Sequence, residues 1–185
     1  RVDAGLRTTN RRVFAVGDVV GGPQFTHMAS HHAAVVLRRI LFRLPARVRG
    51  DIVPSVTYTD PEIARVGLTE AEARERFRDV RVLRWRFDET DRGRTDRETE
   101  GLVKVVTRGS GRILGAGIVG PQAGELIHLW CLALSEGLGI GAVAGMVAPY
   151  PTLGEASRRA AGEYFAPILF GRWTRRFTGF LRRFG

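Results

Sequence analysis

Asp18 closes the short apolar run Val13-Phe14-Ala15-Val16-Gly17. Such a run suits a buried strand that ends at a site. The glycine leaves room for a ligand against the backbone, and the carboxylate can accept hydrogen bonds from a sugar-alcohol hydroxyl. Taken alone, an aspartate there is a turn residue more often than a ligand-binding one. A second pattern, Gly115-Ala116-Gly117-Ile118-Val119-Gly120, matches the Gly-x-Gly-x-x-Gly of dinucleotide-binding turns. Those turns join a parallel strand to a crossover helix, with an acidic residue about 20 positions on at the end of a second parallel strand. Residues 101–119 read instead as a hairpin and the region after Gly137 as helical, so these are glycines of a crowded strand followed by a turn at Pro121. His27, His31 and His32 do not give a convergent ligand set, and no metal is assigned to them. His128 reads as a helix-surface or core histidine. Cys131 is the single cysteine, which excludes an internal disulfide, a redox pair or a four-cysteine zinc site within this chain.

The elements that must position these residues follow from spacing. Thr26 to Leu44 has helical apolar periodicity with Thr26 as N-cap, and Pro45 and Gly50 mark a boundary. Residues 52–58 look like a strand, and Thr69-Glu70-Ala71-Glu72 opens a short charged helix with a capping-box pattern. Further strands are expected over 79–87, 101–108 and 112–119, and helices over 122–136, 139–146 and 152–169. Strands joined by hairpin-length links and followed by helices point to an α+β fold, an antiparallel sheet flanked by helices.

Charge and composition exclude several classes. The 185 residues carry a formal charge of +10, distributed as +7 over 1–50, −3 over 51–100, +1 over 101–150 and +5 over 151–185. Lys104 is the only lysine, so nearly all the positive charge is arginine, and its net excess over acidic residues lies at the two ends. A nucleic-acid domain concentrates arginine on one reading element with aromatics for stacking. The nearly neutral middle argues against a nucleic-acid partner. No apolar run approaches the roughly 18 to 20 residues that span a bilayer. The chain opens Arg1-Val2-Asp3, with neither a signal-peptide core nor an initiator methionine, and is expected to be a piece of a longer protein.

Three ordered blocks carry a family resemblance. Phe-Ala-Val-Gly-Asp-Val at 14–19, Ile-x-Pro-Ser-Val-x-Tyr-Thr-Asp-Pro-Glu-Ile-Ala-x-Val-Gly-Leu-Thr-Glu at 52–70, and Ile-Leu-Gly-Ala-x-Ile-Val-Gly-Pro-Gln-Ala-Gly-Glu-Leu-Ile at 113–127 resemble the flavin-dependent pyridine nucleotide-disulfide oxidoreductases. The resemblance covers residues 1 to about 166 and only the C-terminal part of that family. It implies a C-terminal piece of the FAD-binding domain over 1–50, a dimerisation domain over 51–170 and a basic aromatic tail over 171–185. It also implies FAD as cofactor and NAD(P)H as substrate of the full-length enzyme, with a homodimer as the assembly. The N-terminal FAD fingerprint, the Cys-x-x-x-x-Cys pair and the NAD(P)-binding domain lie outside these residues, so the fragment is expected to be inert. The alternative is a stand-alone dimerisation or interaction module without redox activity.

The resemblance assigns roles to particular positions. Gly17 and Asp18 match the segment whose aspartate holds the flavin ribityl chain. Gln24, Phe25, Thr26 and His27 match the segment whose backbone amides face the flavin ring at a helix N-terminus, where negative charge on the reduced flavin would be favoured. In thiol-reducing members the pattern His-Pro-Thr-x-x-Glu carries a histidine that reaches across the dimer to the partner's dithiol and a glutamate that orients it. Here the histidine position is Tyr150 and the glutamate is Glu155. A phenol with pKa near 10 is a poor base at neutral pH where imidazole near 6.5 is well placed. Tyrosine there resembles mercuric reductase, in which the phenol helps bind the metal between redox thiols. Mercuric reductases also end in a vicinal cysteine pair, and this chain ends Arg182-Arg183-Phe184-Gly185, so the electron acceptor stays open.

Two surfaces complete the reading. Trp130 and the 139–146 helix form part of a layer apolar enough to leave a large patch unburied in a monomer, as a two-fold dimer requires. In the tail, Phe170, Trp173, Phe177, Phe180 and Phe184 are spaced for one helical face, with arginines mostly on the others. That is the pattern of a basic interfacial helix in weak peripheral membrane contact, or of a helix docked on protein. The expected location is cytoplasmic, with membrane-peripheral contact through the tail if the first reading holds.

Overall fold

The structure is a computed structural model that describes residues 1–50 and 52–182. It divides into two compact units, Arg1–Val53 and Pro54–Gly185.

In the first unit the chain makes a tight turn over residues 2–8, passes through Phe14, and enters a 3-10 turn over Gly17–Val20 before helix α1 (Thr26–Ile40). Helix α1 turns Met28, His32 and Val35 inward. The strand expected over Val13–Val16 does not form. Phe14 makes one bridge to Arg7, the Ala15 amide donates to the Leu6 carbonyl at 3.1 Å, and Val13 and Val16 are exposed. A strand buried on both faces needs a neighbour on each side. Among the described residues of this unit only the 2–8 turn pairs with it. The N-cap of α1 is Phe25, not Thr26, and makes no side-chain capping bond.

The described residues of the second unit contain five antiparallel strands: β1 (Ser55–Thr57), β2 (Glu62–Gly67), β3 (Val80–Arg86), β4 (Leu102–Arg108) and β5 (Ile113–Gly120), in the order β1-β2-β5-β4-β3. Helices α2 (Glu70–Arg76), α3 (Asp91–Asp96), α4 (Ala123–Leu126), α5 (His128–Ser135), α6 (Ile140–Gly145), α7 (Glu155–Gly162), α8 (Ala166–Leu169) and α9 (Arg172–Leu181) complete it. The expected α+β architecture is the one observed. The capping box is present: the Thr69 hydroxyl accepts from the Glu72 amide at 3.3 Å, and the Glu72 carboxylate accepts from the Thr69 amide at 2.8 Å. Strand β2 is an addition to the sequence reading. Its inward positions are Ala64 and Val66, too short an alternation to stand out, and its pairing with β5 from Glu62↔Gly120 to Gly67↔Gly115 makes it central.

Two expected helices are broken. The 122–136 segment divides around Ile127 into α4 and α5, and the 152–169 segment divides at Tyr164-Phe165, with Pro167 inside the start of α8. Proline lacks the amide that would continue the ladder, so a new helix begins there.

The glycine run of β5 is structural. A Cβ on Gly115 would lie 2.2 Å from the Leu68 carbonyl oxygen, and one on Gly120, whose φ is +148°, would lie 2.4 Å from the Phe87 ring. Strand β4 on one side and β2 on the other are both antiparallel to β5, so no crossover helix follows from it.

The main core fills one face of the sheet, and a smaller cluster of Ala73, Val106 and Leu114 is buried under α2 on the other. Phe87, Val103, Val105 and Ile118 pack with Ile127 and Trp130 from the following helices, with Ile140 and Val143 of α6, and with the alanines of α7. Trp130, expected to help form an exposed dimer patch, is fully buried at 0% exposure, and Ile140 and Val143 of α6 are buried with it. The largest aromatic surface of α5 is satisfied inside the subunit, where sheet and helices close over it. The exposed apolar residues of the helical layer are others, Leu132, Leu138 and Val147 among them.

Candidate functional site

In the first unit, Gly17 has φ +74°, and its amide donates to His32 Nδ1 at 3.2 Å. Nδ1 must therefore be the unprotonated nitrogen of the ring, an assignment made from geometry. His32 is 4% exposed and lies in line with Met28 and Val35 along α1. It pins the backbone from which Asp18 is presented. Asp18 itself is exposed, with its carbonyl accepting from the Gly21 amide at 3.0 Å. Gln24 is exposed, Thr26 begins α1, and the rings of Phe25 and His27 stack with centroids 5.0 Å apart. Sequence reasoning missed the role of His32. The signal was the 28, 32, 35 spacing, which marks the buried face of a helix.

In the second unit, Tyr150 lies between α6 and α7 with 67% of its surface exposed. Its hydroxyl donates to Asp91 Oδ2 at 2.5 Å. Asp91 is the first residue of α3. It follows Thr90, a buried N-cap whose hydroxyl accepts from the Gly93 amide at 3.1 Å and donates to the Phe87 carbonyl at 2.8 Å. The hydrogen bond to Asp91 holds the Tyr150 phenol above its ordinary pKa. The Asp91 charge, burial and the more distant Glu155 act in the same sense, and Arg159 acts against them. Glu155 is buried at the first position of α7, where a helix N-terminus favours negative charge. Its Oε1 accepts from Arg159 Nε at 2.9 Å and is paired with Arg158 at 3.7 Å, while the Arg159 guanidinium lies 5.6 Å from the Trp85 ring centre. The structure thus brings Tyr150 to Asp91, and Glu155 to the arginines of its own helix. The loop is held separately, by the Thr152 hydroxyl donating to the Pro149 carbonyl at 2.8 Å.

Among the other residues considered, His128 is exposed, with Nδ1 3.0 Å from the Glu125 carbonyl. Cys131 is half-buried, and that burial pushes its thiol pKa up. In the tail, α9 carries exposed Trp173, Phe177 and Phe180 together with Arg172, Arg175 and Arg176. Phe170 is not on that helix. It ends α8, and Gly171 is extended at φ −68°, ψ 157°, so the expected stripe is interrupted at its first member. Arg183 and Phe184 lie outside the described residues. Among the described residues no helix is long and apolar enough to cross a membrane.

The antiparallel sheet flanked by helices, and an exposed side chain presented between α6 and α7, define a domain class that comparison makes specific. Residues 53–161 match the family described as the pyridine nucleotide-disulphide oxidoreductase dimerisation domain. The chain belongs to that family. It is similar to the mercuric reductase of Bacillus cereus, 37% identical over 160 residues that make up 86% of this chain and 25% of that protein. It is also similar to the mitochondrial dihydrolipoyl dehydrogenase of Rattus norvegicus, 36% identical over 172 residues, 91% of this chain and 34% of that one. The chain therefore spans between a quarter and about a third of these curated relatives. Among solved structures, the HOCl-induced flavoprotein disulfide reductase RclA from Escherichia coli, in its Cu(II) complex, superposes with a TM-score of 0.82 at 27% identity. That match covers 88% of this chain and 37% of that one. LpdA from Mycobacterium tuberculosis gives 0.82 at 25% identity, over 88% and 36%.

Proposed function

We propose that the chain is the C-terminal portion of an FAD-dependent NAD(P)H oxidoreductase resembling mercuric reductase, and that it works as a homodimer. Residues 1–50 belong to the FAD-binding domain, 51–170 to the dimerisation domain and 171–185 to a basic aromatic tail. In this reading Tyr150 of one protomer stands near the redox cysteines of its partner, in the position where thiol-reducing relatives carry a histidine. The observation that carries it is the exposure of Tyr150: a packed tyrosine would be buried, and this phenol is presented on a loop with its hydroxyl held by Asp91. Glu155 supports the start of α7 beneath that loop.

The residues of the first unit fit FAD in part. Asp18 is exposed beside a glycine whose left-handed backbone is fixed by His32, which suits a carboxylate that accepts from ribityl hydroxyls. Gln24, Phe25, Thr26 and His27 would set the helix N-terminus toward the ring. The flavin, when bound, supplies hydride acceptance from NAD(P)H. Most contacts to its adenine and pyrophosphate come from a fingerprint outside these residues, so the isolated chain should be colourless and inert.

The tail fits weak, salt-sensitive contact with anionic lipid surfaces, and the location proposed is cytoplasmic with that peripheral contact. Replacement of Tyr150 by phenylalanine in the full-length enzyme tests the central claim, with lost turnover expected and unchanged turnover for every acceptor tried counting against it. Light scattering tests the assembly: a mass near the 20.5 kDa of one chain at tens of micromolar protein would exclude the dimer.

A further inference from the structure

Tyr150 and Asp91 are separated by 59 residues, and their hydrogen bond joins the loop before α7 to the start of α3. A phenol has one donor, its own proton, and an oxygen that accepts. With that proton directed to Asp91 at 2.5 Å, the remaining lone pairs of the oxygen are what an exposed Tyr150 offers to anything outside the subunit. Asp91 is itself fixed. Thr90 beside it is buried and bonded to Phe87 and Gly93, and the neighbouring Arg92 is engaged by Asp96 one turn on.

We propose that Asp91 is the positioning residue of Tyr150: it accepts the hydrogen bond that the phenol donates, sets the direction of the ring, and leaves the oxygen to serve as a neutral acceptor or ligand, not as a hydrogen-bond donor. The proposal rests on the reading that Tyr150 serves the partner's cysteine pair, and it narrows what the phenol does there. A phenol spent on a carboxylate cannot also protonate a thiolate. It can accept from a thiol or coordinate a cation that thiols hold. The charged groups around the phenol are Asp91 from α3 and Glu155 and Arg159 from α7. The hydrogen bond to Asp91 is the largest influence opposing its ionisation.

The test is the ionisation of Tyr150 in this chain, followed by near-ultraviolet phenolate absorbance as the difference between the chain and its Tyr150→Phe variant. Asp91→Asn keeps the shape and removes the charge. The midpoint of Tyr150 is expected to fall toward the ordinary tyrosine value, and Asp91→Glu to restore part of the elevation. An unchanged midpoint in Asp91→Asn overturns the proposal. Should that variant not fold, ring-carbon NMR titration of the unsubstituted chain decides, and a midpoint at or below the ordinary tyrosine value overturns it equally. In the full-length enzyme, Asp91→Asn should move the alkaline limb of the turnover profile to lower pH. A lowered midpoint together with full turnover in Tyr150→Phe would uphold the hold of Asp91 on the phenol and remove Tyr150 from the redox site, which separates the two failures.

Discussion

The indole N–H of Trp130 donates to the hydroxyl of Ser157 at 3.2 Å, and both side chains are out of solvent. This bond ties α5 to α7 through the centre of the core. Replacing Ser157 with alanine leaves a buried donor unpaired, at a cost of about 1–3 kcal/mol. Urea unfolding of the variant measures it, and a midpoint equal to that of the parent chain would mean that the indole finds another partner.

Glu70 gathers three cations from three elements. Its carboxylate accepts from Lys104 on β4 at 2.8 Å, from Arg74 on α2 at 2.8 Å and from Arg84 on β3 at 3.3 Å. Hydrogen bonds from Lys104 and then Arg74 hold its pKa down at about 2, against 4.5 for an unperturbed glutamate. A depressed carboxylate pKa stabilises the fold above the unfolded value. That contribution is complete above about pH 4.5 and is lost as pH falls toward about 2. Stability of the chain and of Glu70→Gln, compared across this window, should therefore converge as pH falls. Parallel curves would sink the assignment. Because the group faces solvent, added salt should shrink the difference at neutral pH.

The glycines of β5 make a matched pair. Gly115→Ala drives a methyl into the backbone of Leu68, which has no flexible end to move aside, and should destabilise by at least about 1–3 kcal/mol. Gly117→Ala meets only the Ala64 carbonyl at 3.8 Å and should change stability by no more than about 0.5 kcal/mol. Equal effects of the two substitutions, read by thermal or urea unfolding, would contradict the crowded-strand account.

Residues 170–185 should confer salt-sensitive binding to vesicles of anionic lipid. The exposed arginines of α9 each contribute on the order of 1 kcal/mol at most near a charged leaflet, and ordering so short a helix opposes them. Flotation of the chain and of a version ending at Leu169, at low and high salt, compares the two. Equal behaviour would show that the tail does not confer lipid binding.

What the sequence determined by itself was whatever rests on neighbours along the chain. The short strands β3 and β4, the Thr69 and Glu72 capping box and the hairpin from β4 to β5 depend on near neighbours or on a short turn, and they stand close to where the local pattern put them. The three family blocks likewise named the fold, since each is a contiguous run. Tertiary structure decided the rest. Val13–Val16 has strand composition but lacks flanking strands among the described residues of its unit, so it stays irregular. Trp130 reads as surface on an apolar helix, yet its indole is enclosed once α7 supplies Ser157. The Tyr150 phenol meets Asp91 from 59 residues away, and His32 meets Gly17 across a turn of irregular chain. No local spacing encodes such pairs, because the energy that fixes each is released only when separate elements pack and their polar atoms are brought within hydrogen-bonding distance.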